Sequence, residues 1–62
     1  MARMLRRHTV EDRTGLARST IYQWMNEGRF PKPVRLGGRS VGWPEEEIDA
    51  WLQERISMRS ED

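Results

Sequence analysis

The sequence predicts a small, mainly α fold: three helices, with one short β-hairpin set between the second and the third. Three observations predict it. Apolar residues recur at helical spacing at Ile21, Trp24 and Met25 and again at Ile48, Trp51, Leu52 and Ile56. Val34-Arg35-Leu36 and Val41-Gly42-Trp43 alternate like strands around Gly37-Gly38-Arg39-Ser40, a loop of the length that reverses a β-ribbon. Glycines and prolines divide the rest into short pieces. With 62 residues, 35% of them hydrophobic, the chain can bury one small core.

Taken in order, residues 1–8 form a basic segment, expected to be flexible. The domain proper is expected over 9–58. Its first helix is short, over 9–15: the Thr9 hydroxyl can cap it, Asp12 stands in the capping-box position, and Gly15 can end it. Leu16-Ala17-Arg18 makes a tight connection. The second helix is expected over 19–27, capped by Ser19 and terminated by Gly28 in a left-handed conformation. Its apolar side, Ile21, Trp24 and Met25, packs on Val10, Leu16 and Leu5. Pro31 and Pro33 exclude helix from the run that follows. Two short strands alone are marginal, so the hairpin leans on the helices. Pro44 suits a first helical position, and Glu45, Glu46 and Glu47 complement the dipole of a third helix over 44–58. Residues 59–62 are polar and expected to fray.

Cysteine is absent, so neither disulfides nor thiolate metal sites contribute, as suits a reducing compartment. The three tryptophans are expected to serve burial in this disulfide-free core. No apolar run approaches a membrane span or a signal peptide, and the expected location is the cytoplasm. The net charge of +1 conceals a division along the chain. Before Pro44, nine basic residues stand against three acidic ones, a net of +6; from Pro44 onward, two stand against seven, a net of −5. A basic body would therefore face a polyanion while the acidic third helix turns away from it.

The polar side of the second helix carries Ser19, Thr20, Tyr22, Gln23 and Asn26, with no carboxylate before Glu27. A merely solvated helix would more often use Lys and Glu at i, i+4 spacing. Two helices joined by a tight turn, the second with one buried and one polar side, have the layout of a helix-turn-helix. Such a helix, about 10–12 Å across, fits a major groove about 12 Å wide. The Gln23 and Asn26 amides suit paired hydrogen bonds to adenine, and Ser19 and Thr20 suit several base edges. Arg18 and Tyr22, at the edge of the face, suit phosphate. Lys32, Arg35 and Arg39, on or beside the hairpin, make it a basic wing able to rest on phosphates or enter the minor groove. The expected fold is thus a three-helix winged helix-turn-helix, and the expected partner is double-stranded DNA.

The chain also resembles the AlpA-like prophage regulators, an excisionase-like group related to MerR-type DNA-binding domains. Thr14-Gly15-Leu16-Ala17-Arg18-Ser19-Thr20-Ile21-Tyr22 carries the resemblance. So do Asn26-Glu27-Gly28-Arg29-Phe30-Pro31-Lys32-Pro33-Val34-Arg35-Leu36-Gly37, Val41-Gly42-Trp43 and Glu47-Ile48-Asp49-Ala50-Trp51-Leu52. It extends over residues 5–57. It implies DNA binding through the second helix and the wing, and control of mobile-element genes in a bacterial cytoplasm, in association with the nucleoid. Position by position, Arg18, Ser19, Thr20 and Tyr22 fall in the family's recognition helix, and Arg35 and Arg39 in its wing.

Other classes fit less well. The single histidine, His8, lies in the basic N-terminal segment, and Ser19 has no assignable base, so no catalytic residues, cofactor or metal site are expected. Consecutive Glu45, Glu46 and Glu47 point in different directions and do not converge on an ion. A protein-interaction module using the aromatic residues is one alternative, and an excisionase-like factor that bends DNA is another. A single module of this size buries only about 600–1,000 Å² on DNA. Self-association on tandem sites is therefore expected, with no membrane or small-molecule partner.

Overall fold

The computed structural model describes residues 3–59. In chain order the elements are β1 (Met4–Leu5), α1 (Arg7–Thr14), α2 (Arg18–Asn26), β2 (Val34–Gly37), β3 (Ser40–Pro44) and α3 (Glu45–Arg59). The three helices and the hairpin are those the sequence predicts, with one strand more. β3 lies at the centre of a three-stranded antiparallel sheet of order β1-β3-β2.

Of the segment 1–8, expected to be flexible, residues 1–2 lie outside the described residues, while Met4–Leu5 form the extra strand and α1 begins at Arg7. Met4 pairs with Pro44 and Leu5 with Trp43, while the Glu45 amide donates to the Arg3 carbonyl at 2.8 Å. Leu5 is buried in the core. The physical cause is non-local: β3 has a second edge to satisfy, and two residues of the N-terminal segment satisfy it. With β1 anchored, α1 begins at Arg7, two residues earlier than expected. Arg6 occupies its N-cap, and no side chain caps it. Thr9 is therefore inside the first turn rather than at the cap, and His8 is helical.

Gly15 ends α1, as expected, in a left-handed conformation with φ 73°, and its amide bonds back to the Glu11 carbonyl. The Thr14 hydroxyl steadies the turn, donating to the Val10 carbonyl at 2.8 Å and accepting from the Leu16 amide at 3.2 Å. The chain reverses so quickly that Ala17 is the N-cap of α2 and Arg18 its first residue. Ser19, expected as the cap, is one position inside the helix. Gly28 turns the chain out of α2 with φ 74°.

The wing closes through the two residues between Gly37 and Ser40, with a bulge between Arg35 and Gly37. Gly38 has φ 53°, and among the described residues no non-glycine residue has positive φ, so the turn has glycine at its first central position and Arg39 at its second. That is the requirement of a II′ hairpin, and it places Arg39 at the tip.

Leu5, Val10, Ile21, Phe30, Trp43 and Ile48 form the core. Leu16, Trp24, Met25, Val41, Trp51 and Leu52 pack against it. Phe30 meets Trp43 and Trp51 edge-on, with centroids 6.5 and 4.8 Å apart. Both indoles also hydrogen-bond the proline-rich loop, Trp43 to the Pro31 carbonyl and Trp51 to the Arg29 carbonyl, each at 2.9 Å. The loop that lacks regular structure is thus held by two side chains of the core. Arg13 ties α1 to the start of α3, reaching Glu45 at 2.6 Å and Asp49 at 3.3 Å. The apolar stripe of α3 covers the core only as far as Leu52; Ile56 and Met58, expected to continue it, are exposed. Fifteen residues span about 22 Å, longer than the small sheet and helix pair beneath can cover.

Candidate nucleic-acid interface

On α2 the spacing of residues makes two adjacent rows. Ser19, Gln23 and Asn26, at i, i+4 and i+7, form an uncharged row, and all three are exposed. Arg18 and Tyr22, at i and i+4, form the neighbouring row, with the Arg18 guanidinium 5.7 Å from the centroid of the Tyr22 ring. Thr20 is half-buried, so it offers less of its side chain than the sequence implies.

Arg18 and Tyr22 line an open cleft of about 470 Å³ together with Arg39 and Val41 of the wing and Arg6, Arg7 and His8 around the start of α1. The wing tip and the α2 edge therefore share one concave surface. Arg35 pairs with Val41 across the ribbon, so its side chain leaves the same face as a residue of the cleft wall. Lys32 lies in the loop before β2 and does not line the cleft. Of the nine residues expected to bind DNA, three converge in the cleft, one flanks it and four occupy the remaining α2 surface. Lys32 stands apart.

The electrostatics are sharper than the charge count suggests. Arg7 is paired with Glu11 at 3.0 Å, Arg13 with Glu45 and Asp49, and Arg29 with Glu27 at 3.1 Å. Among the described residues, Arg3, Arg6, Arg18, Lys32, Arg35, Arg39 and Arg59 have no carboxylate within salt-bridge distance, and four of these seven, Arg6, Arg18, Arg35 and Arg39, are in or beside the cleft. More than half of these unneutralised cations thus lie where the α2 face and the wing meet. A cleft of one sign focuses potential and attracts polyanions.

Gln23 is the exception to a free polar face, because its side-chain amide donates to the Glu27 carboxylate at 3.2 Å. That hydrogen bond and a second from Arg29 hold the Glu27 carboxyl below its ordinary 4.5. Sequence reasoning missed Arg6, Arg7 and His8 as parts of this surface. Their basic run was visible; its placement depends on β1, a two-residue pairing with no periodic signature.

Among the described residues, no helix is long and apolar enough to cross a membrane. Residues 3–56 match the sequence family described as "Prophage CP4-57 regulatory protein (AlpA)". The chain is 47% identical over 62 residues to the "DNA-binding transcriptional activator AlpA" of Escherichia coli strain K12, an alignment covering 90% of this chain and 89% of that protein. It is 46% identical over 57 residues to "Uncharacterized protein ORF88" of Enterobacteria phage P4, covering 92% of this chain and 65% of that protein.

Proposed function

The chain belongs to the AlpA family of prophage regulatory proteins, and from that premise we propose that it is a sequence-specific, double-stranded-DNA-binding transcriptional regulator of prophage or mobile-element genes. In this reading α2 enters the major groove. Gln23 and Asn26, with Ser19 and the accessible part of Thr20, contact base edges, while Arg18 and Tyr22 hold the adjoining phosphates. The wing, through Arg35 and Arg39, rests on the backbone or reaches the minor groove. Lys32 adds long-range attraction from its loop.

One observation carries the reading: Arg18 and Tyr22 of the helix and Arg39 of the wing tip line a single cleft beside an exposed, uncharged helix row. A reading surface and a holding surface are adjacent, as simultaneous groove and backbone contact requires. The protein acts by binding rather than by catalysis, in the cytoplasm with the nucleoid, and adjacent copies on tandem sites supply the area that one module lacks.

Footprinting on duplexes from the gene's own genomic neighbourhood tests this. A discrete protected site is expected, with log K falling against log salt at a slope of about −3 to −4 for Arg18, Lys32, Arg35 and Arg39. Uniform weak protection, or binding indifferent to salt, would contradict it.

A further inference from the structure

The basic cleft has a wall that the helix-and-wing reading leaves unused. Arg6, Arg7 and His8 line the cleft together with residues of α2 and the wing. Arg7 is engaged by Glu11, but Arg6 is exposed and, among the described residues, has no carboxylate within salt-bridge distance. Its backbone is fixed on both sides, by β1 before it and by its own carbonyl, which accepts the Val10 amide at 3.0 Å. Arg6 is therefore held at the rim rather than carried on a loose tail.

We propose that Arg6 is a further backbone-phosphate contact, so that one DNA strand lies in the cleft between Arg6, with the exposed His8 beside it, and Arg18 and Arg39. The proposal rests on the DNA-binding reading above and adds a residue to it. Three cations from three separate elements face one concavity, an arrangement that repels itself until an anion enters.

The charge distribution at the helix starts supports it. α3 begins with three glutamates, which its dipole favours, whereas α1 and α2 have no acidic residue in the first turn and no side-chain cap. Arg6 and Arg18 stand at those two starts, where positive charge is unfavourable in the free protein. Such local costs are expected at functional positions.

Titrations of a footprinted duplex over a salt series, with thermal melting of the free protein, test the proposal. In Arg6→Ser the charge is removed and a capping hydroxyl supplied. Affinity should fall about five- to tenfold, the salt slope should become shallower by about one, and the free protein should melt higher because the cap is filled. Arg6→Lys should keep the slope. Arg55→Ala, outside the cleft, should leave it unchanged. If Arg6→Ser folds poorly, Arg6→Gln keeps the aliphatic stem and should show the same loss of slope. Wild-type affinity and slope in both Arg6→Ser and Arg6→Gln would overturn the proposal while leaving the functional reading intact. Failure of the wild type to bind any duplex with salt dependence would overturn the functional reading itself.

Discussion

Glu27 illustrates at the residue scale what the free protein must give up to bind. Its carboxylate holds the Gln23 amide proposed to read bases, and it places a negative charge at the end of the face proposed to approach phosphate. Glu27→Ala should therefore raise duplex affinity severalfold, modestly on all sequences through the lost charge and most on the preferred site through the released Gln23, measured by competition binding; unchanged or weaker binding would contradict both effects. The same carboxyl sets a pH dependence. Its pKa is lowered in the folded state, chiefly by the Gln23 hydrogen bond and then by Arg29, so its small stabilisation is present above the ordinary 4.5 and is lost as pH falls through the lowered value. Melting curves of Glu27→Gln should accordingly fall less steeply with acid than those of the wild type. The uncharged character of Ser19, Gln23 and Asn26 was legible in the sequence because helical spacing alone brings them together. The partner of Gln23 was legible in principle too, four residues on, but pattern reading treats Glu27 as the end of the face rather than as a ligand of it.

At the scale of elements, local rules succeeded where the causes are local. Gly15 ends α1 and Gly28 turns left-handed, both as expected, and Ile21, Trp24 and Met25 pack toward the core. Local rules failed at the start of α1 and α2, where good capping residues, Thr9 and Ser19, lie inside the helix. There the boundary is set by what precedes it: the β1–β3 pairing for α1 and the rapid reversal through Gly15 for α2. α3 depends on contacts equally invisible in the linear pattern, since Trp51 packs on Phe30 and Trp24 and bonds the Arg29 carbonyl. Trp51→Ala should cost about 3 kcal/mol, most of what so small a core provides. Trp51→Phe should cost about 1 kcal/mol, the loss being mainly the hydrogen bond. Denaturant titration separates the two; equal and negligible losses would mean that α3 does not lock the loop.

For the whole molecule, the division of charge is reorganised by folding. Acidic residues of α3 neutralise Arg13, and Glu11 neutralises Arg7, and of the cations left unpaired among the described residues Arg6, Arg18 and Arg39 line one cleft, with Arg35 beside it. The sequence shows how many cations there are; only the packing of α1, α2 and the wing shows which remain unpaired and that they face one another. The central claim is a division of labour: the uncharged α2 row reads sequence and the cationic cleft holds the backbone. The most direct test measures the ratio of specific to non-specific affinity, with its salt slope, for the wild type, Gln23→Ala and Arg39→Ala. Gln23→Ala should lose about 1–3 kcal/mol on the preferred site alone and keep its slope, while Arg39→Ala should weaken all duplexes alike and lower the slope by about one. A change of sequence preference in Arg39→Ala, with preference intact in Gln23→Ala, would contradict the account.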